Sequence, residues 1–165
     1  MRSMLECMAL TRSILSLNSN DFKQLDDLVE QQGKAIETGQ YDLLTKLDMR
    51  FHEYLCVKAN HARLLKTWRN YEVQCQMLIN RRFRMYSHET PETVIDDHKR
   101  LLLAAHRQDL HLALEITRSI SNRVAQECIL MAQNYSIEGG EISNKVSQRR
   151  TKNGIPSDVN YSVFK

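Results

Sequence analysis

Three residues in the sequence have the chemistry of metal ligands, and two of them have a spacing that could bring them to one site. Asp48 and His52 lie four positions apart. On a helix, such positions are separated by about 40° on one face, so a carboxylate and an imidazole can point at the same spot. His98 opens another apolar helical run and could supply a third ligand. The same spacing also fits an ordinary surface pair, with Asp48 near Lys46.

The elements that must position these residues are all predicted to be helices. Apolar residues recur at three- and four-residue spacing, and no stretch alternates long enough to predict a strand. Asn20, Asn60 and Asp109 are predicted N-caps, and Gly39 is predicted to end the second helix. Six helices with short connections predict an all-α antiparallel bundle. The predicted helices span roughly residues 2–17, 21–38, 41–58, 61–85, 91–107 and, after Asp109, up to about 134.

The sequence changes character near its C-terminal end. Residues 1–136 are predicted to form one helical domain, because this length suffices to bury a single core. Residues 137–165 contain Gly139, Gly140 and Pro156 among few apolar residues, and they are predicted to form a flexible tail. The net charge of +3 is too small and too evenly spread to indicate nucleic-acid binding.

Composition indicates a cytoplasmic protein. No run of 18 apolar residues occurs, and the first residues lack the apolar core and cleavage site of a signal peptide. The four cysteines form no C-x-x-C pair, and each lies in an apolar helical run, so we expect buried, reduced thiols. They are Cys7, Cys56, Cys75 and Cys128.

Several short motifs occur in a defined order along the chain. They are Arg2-Ser3-Met4-Leu5-Glu6, Asp48-x-x-Phe51-His52, Ala59-Asn60 before a helix with Trp68, and Asp97-His98-x-x-Leu101-x-x-Ala104-Ala105. Together, over roughly residues 1 to 125, they resemble the C-terminal effector-binding (FCD) domain of FadR-subfamily GntR transcription regulators. The resemblance implies an all-helical, dimerising domain whose cavity holds a metal ion and a small, usually carboxylate, ligand.

The resemblance also implies roles for individual residues. Asp48, His52 and His98 match metal ligands, which suggests a divalent ion such as zinc or nickel. Arg2 matches a basic position that could clamp a ligand carboxylate. The family's further histidine ligand corresponds to Ile120 here, so the metal site is expected to be incomplete.

Spacing does not decide which of Arg81 and Arg82 faces inward as a further carboxylate clamp. The remaining histidines are expected to be solvated; they are His61, His88, His106 and His111.

These observations predict a small-molecule-sensing, dimerising domain of a GntR-type transcription regulator. The expected partners are a small organic acid and a second copy of the chain, with no membrane. Because no winged helix precedes Arg2, DNA is expected to be contacted only through a domain absent from this chain. The protein is not expected to be an enzyme, although an Asp/His/His set is formally compatible with metal-dependent catalysis. A structural oligomerisation module without a ligand is the other alternative.

Overall fold

The computed structural model describes the backbone of residues 1–85 and 90–152, and the side chains of residues 1–85 and 93–133. These residues form six α-helices and no strand, which confirms the predicted all-α bundle. The helices are α1 (Arg2–Ser13), α2 (Ser19–Glu37), α3 (Tyr41–Lys58), α4 (Ala62–Met85), α5 (Thr90–His106) and α6 (Leu110–Lys152). Met1–Cys128 forms one compact unit, which carries all the features described below; a second unit begins at Ile129.

Helix α3 is the central element of the first unit. Helices α1, α2 and α4 all pack against it, and α5 packs against α2. Its residues Leu44, Leu47, Phe51 and Leu55 are all buried, and their three- and four-residue spacing makes one apolar stripe. Asp48 lies beside this stripe, so the fold carries its carboxylate into the interior instead of to solvent.

Left-handed residues end three of the helices. Gly39, Asn60 and Gln108 have φ values of 65°, 48° and 54° and follow α2, α3 and α5. Gly39 thus ends α2 as predicted. Asn60 was predicted to cap α4, and this is wrong, because asparagine tolerates the left-handed region and here serves the end of α3. The cap of α4 is His61, whose Nδ1 accepts a hydrogen bond from the Leu64 amide at 3.1 Å.

A capping box begins α2 and attaches it to α3. The Asn18 side chain, not that of Asn20, caps the helix: its Oδ1 accepts from the Asp21 amide at 3.1 Å. In return, Oδ2 of Asp21 accepts from the Asn18 amide at 3.0 Å. Tyr54 and Lys58 of α3 reach Asp21 Oδ1 at 2.8 and 2.5 Å. Burial raises the pKa of Asp21, but these hydrogen bonds outweigh it and hold the pKa below its usual value.

Helix α6 extends beyond its predicted end near residue 134 and reaches Lys152. Gly139 and Gly140 lie in the predicted tail, residues 137–165. Each costs a helix only about 1 kcal/mol relative to alanine, and no proline follows before residue 156, so the helix can continue. The last part of the predicted tail, residues 153–165, and residues 86–89 of the predicted α4–α5 loop lie outside the described residues.

No helix in the described part of the chain is both long and apolar enough to cross a membrane.

Candidate metal centre

Three side-chain atoms from α3 and α5 converge at one buried point. Oδ1 of Asp48 lies 3.8 Å from Nε2 of His52 and 3.6 Å from Nε2 of His98, and the two Nε2 atoms are 3.3 Å apart. The point in their plane that is equidistant from the three atoms lies about 2.1 Å from each, close to the zinc–nitrogen distance of about 2.0–2.1 Å. The four-residue spacing on α3 and the first turns of α5 create this triangle.

The outward nitrogen of each histidine is held by a residue from another helix. Nδ1 of His52 lies 3.1 Å from Oε1 of Glu6 on α1, and Nδ1 of His98 lies 2.8 Å from Oε1 of Gln32 on α2. With the Glu6 carboxylate and the Gln32 amide oxygen facing these nitrogens as acceptors, each Nδ1 is assigned as the protonated nitrogen that donates. Each Nε2 is then unprotonated and has a free lone pair. Two lone pairs that face each other at 3.3 Å repel, and a cation between them removes that repulsion.

Both imidazoles are held in the neutral form that binds metals. Burial lowers the pKa of His52 well below its usual value, and the positive charge of Arg2 lowers it further. Burial also lowers the pKa of His98, and this effect outweighs the opposing charge of Asp48. A proton at neutral pH is therefore a poor candidate for the cation between the rings, whereas a divalent metal ion is a good one.

Arg2 lies beside the triangle and faces the second oxygen of Asp48. One guanidinium NH2 is 3.6 Å from Asp48 Oδ2, and Nε donates to Glu6 Oε1 at 2.7 Å. The guanidinium also lies 5.8 Å from the centre of the Trp68 ring. Burial alone would lower the pKa of Arg2, but the charges of Glu6 and Asp48 raise it. Asp48 Oδ2 is buried and accepts no hydrogen bond, so the centre has an unsatisfied acceptor in addition to its three ligand atoms.

A small cavity of about 10 Å³, room for about one water, adjoins the triangle. Asp48, His98, Arg82, Arg123 and Ile120 are among its lining residues. The two arginines belong to ion pairs, yet one NH2 of Arg82 and Nε of Arg123 are buried without a hydrogen-bond partner. Unsatisfied donors beside a small cavity suit an anionic oxygen.

The ion pairs at this cavity join α6 to its neighbours. Arg82 of α4 pairs with Glu127, and Arg123 pairs with Asp97 of α5. Of the two adjacent arginines whose direction spacing left open, Arg82 is buried and Arg81 is exposed. Arg82 is thus the one that can reach the cavity.

The structure brings together Asp48, His52, His98, Arg2 and Arg82, and it leaves Arg81 exposed outside the site. Asp48, His52 and His98 form the only cluster of three or more His, Cys, Asp or Glu groups with metal-binding spacing in the described part of the chain. Ile120 is buried on the cavity wall, where the resemblance placed the missing ligand. Arg2 lies against Asp48.

Sequence reasoning missed three contributors to the site. Glu6 could have been found from its four-residue spacing to Arg2, and Arg123 from its position one turn after Ile120. Gln32 has no local signal, because it meets His98 across 66 residues of chain.

The chain belongs to the FCD domain family, whose model matches residues 1–122. Its fold is similar to that of a transcriptional regulator, described as a GntR family member, from Pseudomonas syringae pv. tomato str. DC3000. That crystal structure is 22% identical in sequence and matches with a TM-score of 0.68 over 84% of this chain. The matched part is 56% of the Pseudomonas protein, so the chain spans a little over half of its length. No curated protein matches the sequence.

Proposed function

We propose that this domain binds a small carboxylate beside a divalent metal ion, and that this binding regulates a GntR-type transcription factor. The observation that carries the proposal is the buried triangle of Asp48, His52 and His98. Its two neutral imidazoles face each other at 3.3 Å, and their outer nitrogens are held by Glu6 and Gln32. Metal-binding histidines usually have this arrangement, in which an acceptor holds the outer nitrogen and the inner nitrogen is left to bind the ion.

In this proposal each residue has a distinct role. Asp48, His52 and His98 hold the ion, and zinc or nickel suits one carboxylate and two imidazoles. When bound, the ion supplies positive charge and open coordination positions for a carboxylate oxygen. Arg2 stays beside Asp48 and the ligand, and Arg82 points an unused donor into the adjoining cavity. Because the remaining charged groups of this cavity are committed to ion pairs, we propose a binding role instead of catalysis.

The ion and the ligand should bind cooperatively. Ile120 offers no donor, so three protein ligands leave the ion loosely held. A ligand carboxylate would fill a vacant position and strengthen binding of the ion. Linkage then requires that the ion strengthens binding of the carboxylate by the same factor.

We further propose that the cytoplasmic protein acts as a homodimer and that a winged-helix domain outside this chain contacts DNA. Helices α1 and α4 contact each other, and Met4, Val73 and Met77 on them are 67–73% exposed, which suits burial against a second copy. Sedimentation should therefore give a dimer at micromolar concentration, and a monomer would contradict this part of the proposal.

Calorimetric titration of zinc and nickel into the purified, metal-free chain tests the proposal. We expect binding by the native chain and none by Asp48→Ala, because that change removes the only anionic ligand. Asp42→Ala is the matched control, since it removes an exposed aspartate from the same helix. Thermal shifts with short carboxylates, with and without the metal, then test for the ligand. Equal metal binding by Asp48→Ala and the native chain would refute the proposed centre.

A further inference from the structure

A second, larger cavity adjoins the cavity of the metal centre. It is an open cleft of about 370 Å³, within the range of small-molecule sites. Arg2, Ile79, Ile120 and Val124 line both cavities, so these four residues are the boundary between them. The two cavities are therefore neighbours, separated only by these four side chains. A ligand with its charged end at the arginines of the small cavity could extend past them into the cleft.

The cleft differs from the small cavity in chemistry. Beyond the shared residues, its wall consists largely of Leu78, Ala125 and the thiols of Cys75 and Cys128. Burial raises the pKa of both thiols, so they remain neutral and add soft, apolar surface. Its other polar groups are the short side chains of Ser3, Ser121 and Asn122 and the N-terminal ammonium of Met1, which also lines the cleft. Of the two cavities, only the small one is thus lined by the charged side chains of Asp48, Asp97, Arg82 and Arg123, and most of the apolar surface lies in the cleft.

We infer that the ligand is a monocarboxylate with an apolar tail, whose carboxylate lies at the arginines and metal centre and whose tail occupies the cleft. This inference rests on the proposed function and specifies its ligand class. A hydroxylated sugar acid or a tricarboxylate would place polar groups against Leu78 and Val124, where those groups would lose part of their hydration. Ile120 lines both cavities. Its side chain cannot bind a metal ion, but it offers apolar surface to the part of the tail nearest the carboxylate.

Chain length should control affinity. Burying one methylene contributes about 0.8 kcal/mol, which corresponds to about 4-fold in affinity. From butanoate to octanoate we expect Kd to fall by about 4-fold per added carbon until the cleft is filled. Citrate should bind more weakly than hexanoate. Hexanamide, which has the tail without the charge, should also bind more weakly than hexanoate.

The test is calorimetry of the straight-chain acids from acetate to octanoate on the zinc-loaded native chain and two variants. Ser121→Phe should fill the cleft, so that affinity no longer increases with the chain length of the acid. Binding of acetate, which has no tail, should be unchanged. Ser119→Phe is the matched control, because Ser119 is exposed on the same helix and does not line the cleft. It should keep the native dependence, and circular dichroism should show both variants folded.

The outcomes separate this inference from the proposed function. If acetate binds in a metal-dependent way but affinity does not increase along the series of acids, the inference of an apolar tail is overturned and the proposed metal-carboxylate site stands. An unchanged dependence in Ser121→Phe, or equal binding of hexanamide and hexanoate, would likewise overturn the inference. Failure of every acid to bind the zinc-loaded chain would overturn both the inference and the carboxylate ligand.

Discussion

Replacing Ile120 by histidine should complete the metal centre. Ile120 is buried on the wall of the cavity that Asp48 and His98 also line, so an imidazole at this position would enter the space beside them. Loss of a residue that only supports a metal ligand typically weakens affinity 10- to 100-fold, so a direct ligand should contribute at least the upper value. We expect zinc to bind the Ile120→His chain about 100-fold more tightly than the native chain, or about 2.7 kcal/mol.

The same substitution should destabilise the metal-free protein. Ile120 belongs to the main apolar core cluster, and a buried imidazole without a partner costs about 1–3 kcal/mol. The melting temperature of the metal-free variant should therefore fall, and saturating zinc should raise it by more than it raises that of the native chain. Calorimetry gives the affinity, and thermal unfolding with and without zinc gives the linkage.

Ile116→His is the matched control, because Ile116 is buried one turn earlier on α6 and does not line the cavity. It should lower stability without improving zinc affinity. If Ile120→His remains folded but binds zinc no more tightly than the native chain, then the side chain at position 120 does not face the metal centre, and the reasoning is refuted. A gain in both variants would show that any buried histidine on this helix recruits metal, and it too would refute the reasoning.

Two further predictions concern residues that hold the site and the fold. Gln32→Leu should weaken zinc binding about 10- to 100-fold because His98 loses the acceptor that fixes its Nδ1 proton, and calorimetry with the exposed Gln31→Leu as control measures this. Asp21→Asn should lower the free energy of unfolding by about 2 kcal/mol, measured by urea unfolding beside the exposed Asp26→Asn. Since the folded state lowers the pKa of Asp21, the native chain should hold this stability above pH about 4 and lose it as the pH falls further; equal acid sensitivity of native and Asp21→Asn chains would contradict this.

The helices were predictable where local signals are strong. Helix α3 begins and ends at the predicted residues, because its apolar stripe is regular and Gly39 precedes it. Local signals were weaker at Asn18-Ser19-Asn20, where all three residue types are good caps. The pairing of Asn18 with Asp21 three residues later would have selected the correct one. At the end of α1, Leu15 continued the apolar pattern, yet the helix stops at Ser13 and Leu15 is exposed.

The site was predictable only in part, for a physical reason. The spacing of Asp48 and His52 fixes them to one face of α3, which is a local property. The approach of His98 is a property of tertiary packing, because α5 reaches α3 through its contacts with α2. Only the resemblance to the FCD family joined these elements in advance. The contact between Gln32 and His98 depends on the same packing, so the spacing of residues in the sequence could not predict it.

The separation between the two histidines along the chain has a mechanical consequence. His52 and His98 are 46 residues apart along the chain, and an ion bound by both would link α3 to α5 reversibly. Because the ion would bind the folded chain and not the unfolded one, at 100 times its dissociation constant it would stabilise the folded state by about 2.7 kcal/mol. Binding of the ion would thus hold α5 more firmly against α3, and removal of the ion would weaken that attachment. The proposed ion would in this way join α3 to α5, and its affinity would depend on what fills the coordination position that Ile120 does not supply.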